Sequence, residues 1–257
     1  MKHQPPIERL FGLIGYPLSH SFSKRYFTAK FEREGIAGCT YELFPLETIA
    51  ALPGLLERHP ALRGLNVTIP YKELVIPYLD ELDAGAAAIG AVNTIKRVGG
   101  RLLGYNTDVH GFEQSLRGFL RQAGVMPGQL QALVLGTGGS SKAVAFALRQ
   151  LGIGFRFVSR SPGAEELSYQ DLDAGLICQY HLIINTTPLG MSPQVKNCPP
   201  LPYAALGPGH LLFDLVYNPP LTTFLAQGQA QGAAVKNGLE MLEMQAERAW
   251  EIWEAVS

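Results

Sequence analysis

Short apolar runs alternate with amphipathic stretches along most of the chain, the pattern of βαβ units feeding a largely parallel sheet. In the N-terminal half, Leu10–Gly15, Thr40–Phe44 and Gly64–Ile69 are predicted strands, and a helix from about Phe22 to Glu34 follows the first of them. Ala91–Val98 and Arg101–Tyr105 are separated only by Gly99-Gly100, a pair that tolerates the positive φ angles of a tight turn, so the two runs are predicted to form a hairpin. A long helix is then expected from Thr107 or Asp108, either of which can cap it, to about Gln122.

After the turn-forming segment Gly124–Gly128 the pattern restarts. Gln131–Leu135 reads as a buried strand, followed by glycines and a helix carrying Ala143, Val144, Ala147, Leu148 and Leu151 on one face. Phe155–Ser159, His181–Asn185, Leu211–Val216 and Ala233–Lys236 read as further strands of this second sheet. From Gly238 onward, Leu239, Leu242, Ala246, Ala249, Trp250 and Trp253 form an apolar stripe at helical spacing, broad enough to dock against another element. The class is α/β, in two domains divided at the long helix near residue 110.

Composition narrows the partners. With 21 basic and 22 acidic residues in 257, the chain lacks the positive excess that binds nucleic acid or an anionic membrane, and small molecules are expected instead. Cys39, Cys178 and Cys198 are odd in number and far apart. They suggest neither a disulfide framework nor a zinc site, and they fit a reducing cytoplasm. No apolar stretch approaches a membrane span of about twenty residues, so a soluble, unprocessed protein is expected, with no metal.

Gly136-Thr137-Gly138-Gly139-Ser140 lies between the strand at 131–135 and the next helix. There, backbone amides and the helix dipole can hold a pyrophosphate. Ser141 stands where a third glycine is usual. At the end of the next strand, an NAD-specific site places an acid on the ribose hydroxyls. This chain has Ser159-Arg160-Ser161. An arginine fork matches a 2′-phosphate, so NADP is the expected cofactor.

The first half places polar groups at element ends, where ligands gather in open α/β sheets. Ser19 and Ser21 precede a helix, as N-caps or as groups for a carboxylate. In Asn66-Val-Thr68-Ile-Pro-Tyr71-Lys72, the proline stops strand pairing and is expected to release Tyr71 and Lys72 into a loop or a helix start. Asn93 and Asp108 sit at further termini, where each also suits a turn or a cap.

Taken in order, GYPLSHS from Gly15, NVTIPYK from Asn66, GAVNT from Gly90, GYNTD from Gly104, the glycine loop, NTTPLG from Asn185, DLVY from Asp214 and GLEMLEMQ from Gly238 resemble the successive motifs of the shikimate dehydrogenase family. The resemblance implies a substrate domain of residues 1–110, onto which a helix at 238–257 packs back. It also implies a Rossmann-like NADP domain of residues 111–237, with the cleft between the two domains. It further implies that Ser19 and Ser21 bind the substrate carboxylate, while Thr68, Lys72, Asn93, Asp108, Tyr217 and Gln245 surround its ring. Gly136, Thr137, Gly138, Gly139 and Ser140 would hold the pyrophosphate, Ser159 and Arg160 the ribose phosphate, and Leu215 and Gly238 would lie beside the nicotinamide. Lys72 and Asp108 would form the acid-base pair, without a decision on which gives up the proton. A second arginine common in the family is missing after Arg160, which leaves the strictness of NADP over NAD open. Also open are quinate as a substrate, another two-domain dehydrogenase such as a methylene-tetrahydrofolate enzyme, a non-catalytic dinucleotide sensor, and monomer against homodimer.

Overall fold

The two stretches of alternating pattern become two six-stranded sheets in the computed structural model, which describes residues 9–18 and 22–255. One unit comprises residues 1–107 with 246–257, and the other residues 108–245. The first runs β1 Arg9–Gly15, α1 Phe22–Arg33, β2 Cys39–Pro45, α2 Leu52–Arg58, β3 Leu62–Val67, β4 Glu81–Leu82, α3 Ala84–Ile89, β5 Thr94–Val98 and β6 Arg101–Tyr105. The second runs α4 Asp108–Ala123, β7 Gln131–Leu135, α5 Gly139–Gln150, β8 Gly154–Ser159, β9 Leu167–Ser168, α6 Ala174–Ile177, β10 Leu182–Asn185, β11 Leu211–Asp214, α7 Thr223–Ala230, β12 Ala234–Lys236 and α8 Leu239–Glu254, whose later turns belong to the first unit.

The first sheet has the order β2-β1-β3-β5-β6-β4. β1 is parallel to β2 and β3, whereas β5 is antiparallel to both β3 and β6. Gly99 and Gly100 join β5 to β6 at φ 58° and 84°, the left-handed pair that the hairpin turn requires. Side chains alternate along β1: Leu10 and Ile14 enter one core with Leu62, Leu65 and Ile95. Phe11 and Leu13 enter the opposite one with Phe27 and Tyr41. The second core is closed by Ala246, Ala249 and Trp253 from the end of α8. There the Trp253 indole donates to the Ile95 carbonyl at 3.0 Å, and Lys30 of α1 donates to Glu247 at 2.7 Å.

The second sheet is wholly parallel, ordered β12-β11-β10-β7-β8-β9. Read from the other edge, this is the doubly wound order of Rossmann folds, with the switch point between β7 and β10. Helices cover both faces, so the run Ala132-Leu-Val-Leu135 is apolar at every position: Ala132 and Val134 face one core, Leu133 and Leu135 the other.

Some boundaries differ from the sequence pattern. β3 stops at Val67, and Ile69 is exposed beyond it. Ala91–Asn93 lie outside β5, because their buried backbone bonds to Lys72, Tyr105 and Val67 rather than to a regular ladder. β11 ends at Asp214, and β4, β9, α2, α3, α6 and α7 are elements that the pattern did not announce.

Gly64 lies directly beneath the Trp253 ring, where a Cβ has no room. Gly64→Ala is therefore expected to cost about 1–3 kcal/mol through overpacking. Both tryptophans sit in this part of α8, so urea unfolding followed by intrinsic fluorescence reads the loss directly.

Candidate active site

The expected site residues gather into one group in each unit. In the first, the segments after β1 and β3 run side by side: Thr68 N donates to Ile14 O at 2.9 Å, and Tyr16 N to Ile69 O at 3.1 Å. Thr68 and Lys72 are half-buried. Tyr71 lies in the loop after β3 with its side chain turned inward, the hydroxyl donating to the Leu46 carbonyl at 2.5 Å. That inward anchor fixes the turn carrying Lys72, whose carbonyl accepts Val92 N at 2.7 Å, one residue before Asn93.

Asn93 is buried and occupied on both sides of its amide. Its Oδ1 accepts Thr107 N at 2.7 Å, and its Nδ2 donates to the Thr107 hydroxyl at 3.0 Å. Asn66, behind it, accepts from the Tyr41 hydroxyl at 2.7 Å and donates to Thr94. Ser19 and Ser21 lie outside the described residues.

In the second unit, Asp108 is the buried first residue of α4. One turn later, Gly111 packs against the α8 backbone at Met241 and Gln245, too closely for a Cβ. This contact sets the start of α4 beside Gln245, which is buried and donates to Leu242 O at 3.0 Å.

The glycine loop follows β7 as expected. Gly136 adopts φ +105°, and a Cβ there would press on Thr186 and Thr187. Gly138 occupies the N-cap of α5 with no side chain capping it, so the first-turn amides of α5 point toward the loop. Thr137 and Gly138 are exposed, and Gly139 and Ser140 half-buried. Ser141 is buried, with its hydroxyl on the Gly138 carbonyl at 2.5 Å. Arg160 is exposed just past β8, and Ser161 N bonds to the Ser159 hydroxyl at 3.2 Å. Leu215 and Gly238 are neighbours, with no space for a Cβ on Gly238 against the Leu215 backbone, and Gly238 N bonds to Val216 O at 3.2 Å. Tyr217 is half-buried on the same segment. Among the described residues, no group of three or more His, Cys, Asp or Glu side chains is arranged to hold a metal ion, and no helix is long and apolar enough to cross a membrane.

The sequence pattern gave no role to Asp214. Its carboxylate is fully buried and accepts from Asn185 Nδ2 at 2.9 Å, Val216 N at 3.0 Å and the Thr222 hydroxyl at 2.6 Å. Burial pushes its pKa up to about 6, against the opposing pull of these bonds. The phenol of Tyr203 feels its charge and is itself pushed up, chiefly by burial.

The second sheet, with its glycine turn and uncapped helix, defines a Rossmann-type nucleotide-binding fold joined to an α/β partner unit. Residues 13–95 match the family model described as the shikimate dehydrogenase substrate binding domain. A shikimate dehydrogenase (NADP(+)) of Moorella thermoacetica is 40% identical over 95% of this chain and 87% of its own length. The fold superposes on a shikimate 5-dehydrogenase of Thermus thermophilus in complex with NADP(H) and shikimate, with TM-score 0.83 and 34% identity over 96% of this chain and 94% of that one. A Listeria monocytogenes shikimate 5-dehydrogenase in complex with shikimate and NAD gives TM-score 0.83 and 26% identity, over 98% and 94%. The chain belongs to the shikimate dehydrogenase family.

The raised pKa of Asp214 carries a sign that can be tested. A carboxyl that holds its proton to higher pH in the fold than in the unfolded chain adds stability below the unfolded pKa and loses it as pH rises through about 6. Relative to Asp214→Asn, the wild type is therefore expected to gain stability as pH falls from about 7.5 to about 4.5. Thermal unfolding of the two proteins across that range measures the slope, and a constant difference would show that burial does not shift this group.

Proposed function

We propose that this enzyme catalyses the reversible NADPH-dependent reduction of 3-dehydroshikimate to shikimate, a step toward chorismate and the aromatic amino acids. The observation that carries this reading is the near full-length likeness to a protein whose structure holds both NADP(H) and shikimate. In this reading residues 1–110 and the helix at 238–257, with Tyr217, serve the substrate, most of residues 111–237 serve the cofactor, and the enzyme works in the cytoplasm.

The residues present fit NADP. A glycine at φ +105° with no space for a side chain, followed by a helix whose N-cap carries none, leaves peptide N–H groups for a pyrophosphate. Gly136, Thr137, Gly138, Gly139 and Ser140 take that part, Ser159 and Arg160 the ribose phosphate, and Leu215 and Gly238 flank the nicotinamide. When bound, NADPH supplies the hydride for the keto carbon. Ser19 and Ser21 hold the substrate carboxylate, and Thr68, Asn93, Tyr217 and Gln245 hold its ring hydroxyls. The alkoxide that develops needs positive charge and a proton. Lys72 and Asp108 meet both needs: the ammonium stabilises the oxyanion, while the carboxylate orients the hydroxyl and the lysine.

The direct test is a spectrophotometric assay of shikimate-dependent NADP reduction, repeated with quinate and with NAD. Absence of turnover on shikimate would refute the reading. Lys72→Ala is expected to lower kcat at least roughly a hundredfold while leaving the NADP dissociation constant within about twofold. Near-normal turnover by this variant would remove Lys72 from the acid-base role. Arg160→Ala is expected to cut kcat/KM for NADP about tenfold, the scale of an exposed charge pair, and to leave the NAD value unchanged. An equal loss with both cofactors would mean that Arg160 does not read the 2′-phosphate.

A further inference from the structure

β10 and β11 run parallel with Asn185 in register with Asp214, so the last residues of the two strands lie side by side. Both side chains are completely buried. Through them three chain segments meet. Asn185 Oδ1 accepts Thr187 N at 3.1 Å and the Thr187 hydroxyl at 2.6 Å, which closes the turn after β10. Asp214 Oδ1 takes Asn185 Nδ2 and Val216 N, which bends the chain directly after β11. Asp214 Oδ2 takes the Thr222 hydroxyl, which also caps α7 by accepting Leu225 N at 3.3 Å. Leu215 N, between the two bends, is held by Asn185 O at 2.9 Å.

A buried carboxylate is costly, and an amide or an aliphatic side chain would close a strand end at lower cost. The carboxylate offers something neither of them does: acceptor capacity for three donors arriving from three directions. The segment it fixes, Leu215–Tyr217, carries no other side-chain acceptor for Val216 N among the described residues. The carboxylate adds to the backbone bonds that hold the segment, Leu215 N to Asn185 O and Gly238 N to Val216 O.

We propose that Asp214 is a positioning residue for the nicotinamide half of the site, holding the Leu215–Tyr217 segment in the one orientation that presents Leu215 to the cofactor and Tyr217 to the substrate. This rests on the function proposed above. Asp214 itself touches neither ligand. Its effect falls on how the reacting groups are aligned, and misplacement by about 1 Å can cost on the order of a hundredfold in rate.

The test separates the two ends of the cofactor. Asp214→Ala, Asp214→Asn and Thr222→Val are compared with the wild type in kcat and KM for shikimate and NADP. Affinity for adenosine 2′,5′-bisphosphate, which has the 2′-phosphate and one 5′-phosphate but no nicotinamide, is measured alongside. In Asp214→Ala, kcat is expected to fall at least about tenfold, with adenosine bisphosphate affinity within about twofold of wild type. Asp214→Asn keeps an acceptor for Val216 N and is expected to lose less, about threefold. Should Asp214→Ala not fold, Asp214→Asn and Thr222→Val each weaken the cluster more gently, and a kcat loss of about threefold or more at unchanged bisphosphate affinity supports the proposal equally. Wild-type kcat in the variants, or proportional loss of both kcat and bisphosphate affinity, would overturn the proposal and leave Asp214 as a stabiliser of the whole unit. A wild type that binds the bisphosphate but does not turn over shikimate would instead overturn the function on which the proposal rests.

Discussion

Where a strand stops inside a protein, its last peptide groups have neither a ladder partner nor water, and a side chain must take the place of both. In this chain the side chain is usually an amide. Asn66, Asn93 and Asn185 are all buried, and each both donates and accepts, so one residue can hold two segments at once. Asn93 binds both the N–H and the hydroxyl of Thr107, the residue before Asp108. Asn185 does the same for Thr187 and also grips Asp214. A valine or isoleucine at either position would pack well and would leave these N–H groups unpaired, at about 1–3 kcal/mol each. The sheet margins therefore dictate where the segments that follow the strands leave the core.

Close approach of backbones is the second condition, and it shows most clearly in the nucleotide-binding unit. Gly238 admits the Leu215 backbone where no Cβ fits, so β12 and the segment after β11 end against each other. Gly111 does the same for α4 and α8, which brings the helix beginning at Asp108 to the turn that carries Gln245. Side chains specify the direction of each segment, and absent side chains specify how near two segments lie.

Much of this was legible in the chain. Arg101–Tyr105 and Gln131–Leu135 are strands to the residue, because apolar runs bounded by turn residues leave no other reading. The Gly99-Gly100 turn has the positive φ angles that two adjacent glycines announce. Ala91–Asn93 misled, since burial by packing and burial in a ladder look alike in a pattern of apolar residues. β4 and β9 have two residues each and α6 has four, too few to express a period. Tyr71 does lie in the expected loop, but nothing local reveals that its hydroxyl reaches Leu46, 25 positions earlier. Asp214 was visible within a motif but without a role, because two of its three partners lie 29 residues before it and 8 after it. Hydrogen bonds that close over such distances exist only once the sheet order does.

The charges of the nucleotide-binding unit divide into two kinds with different effects on the fold. Arg160 is exposed, and a pair it forms in water contributes on the order of 1 kcal/mol. Asp214 is buried, and ionising it opposes folding. Neither charge is a large source of stability by itself. What the structure offers besides is geometry: the left-handed glycine after β7, the start of α5 with no side-chain cap, and the segment after β11 that bonds to the buried acid. An exposed charge can select between two cofactors by its small increment only if the rest of the dinucleotide is already fixed by backbone. In the function proposed above, the destabilising buried charge and the weakly acting exposed one would serve a single arrangement, in which the peptide groups bind and the side chains orient.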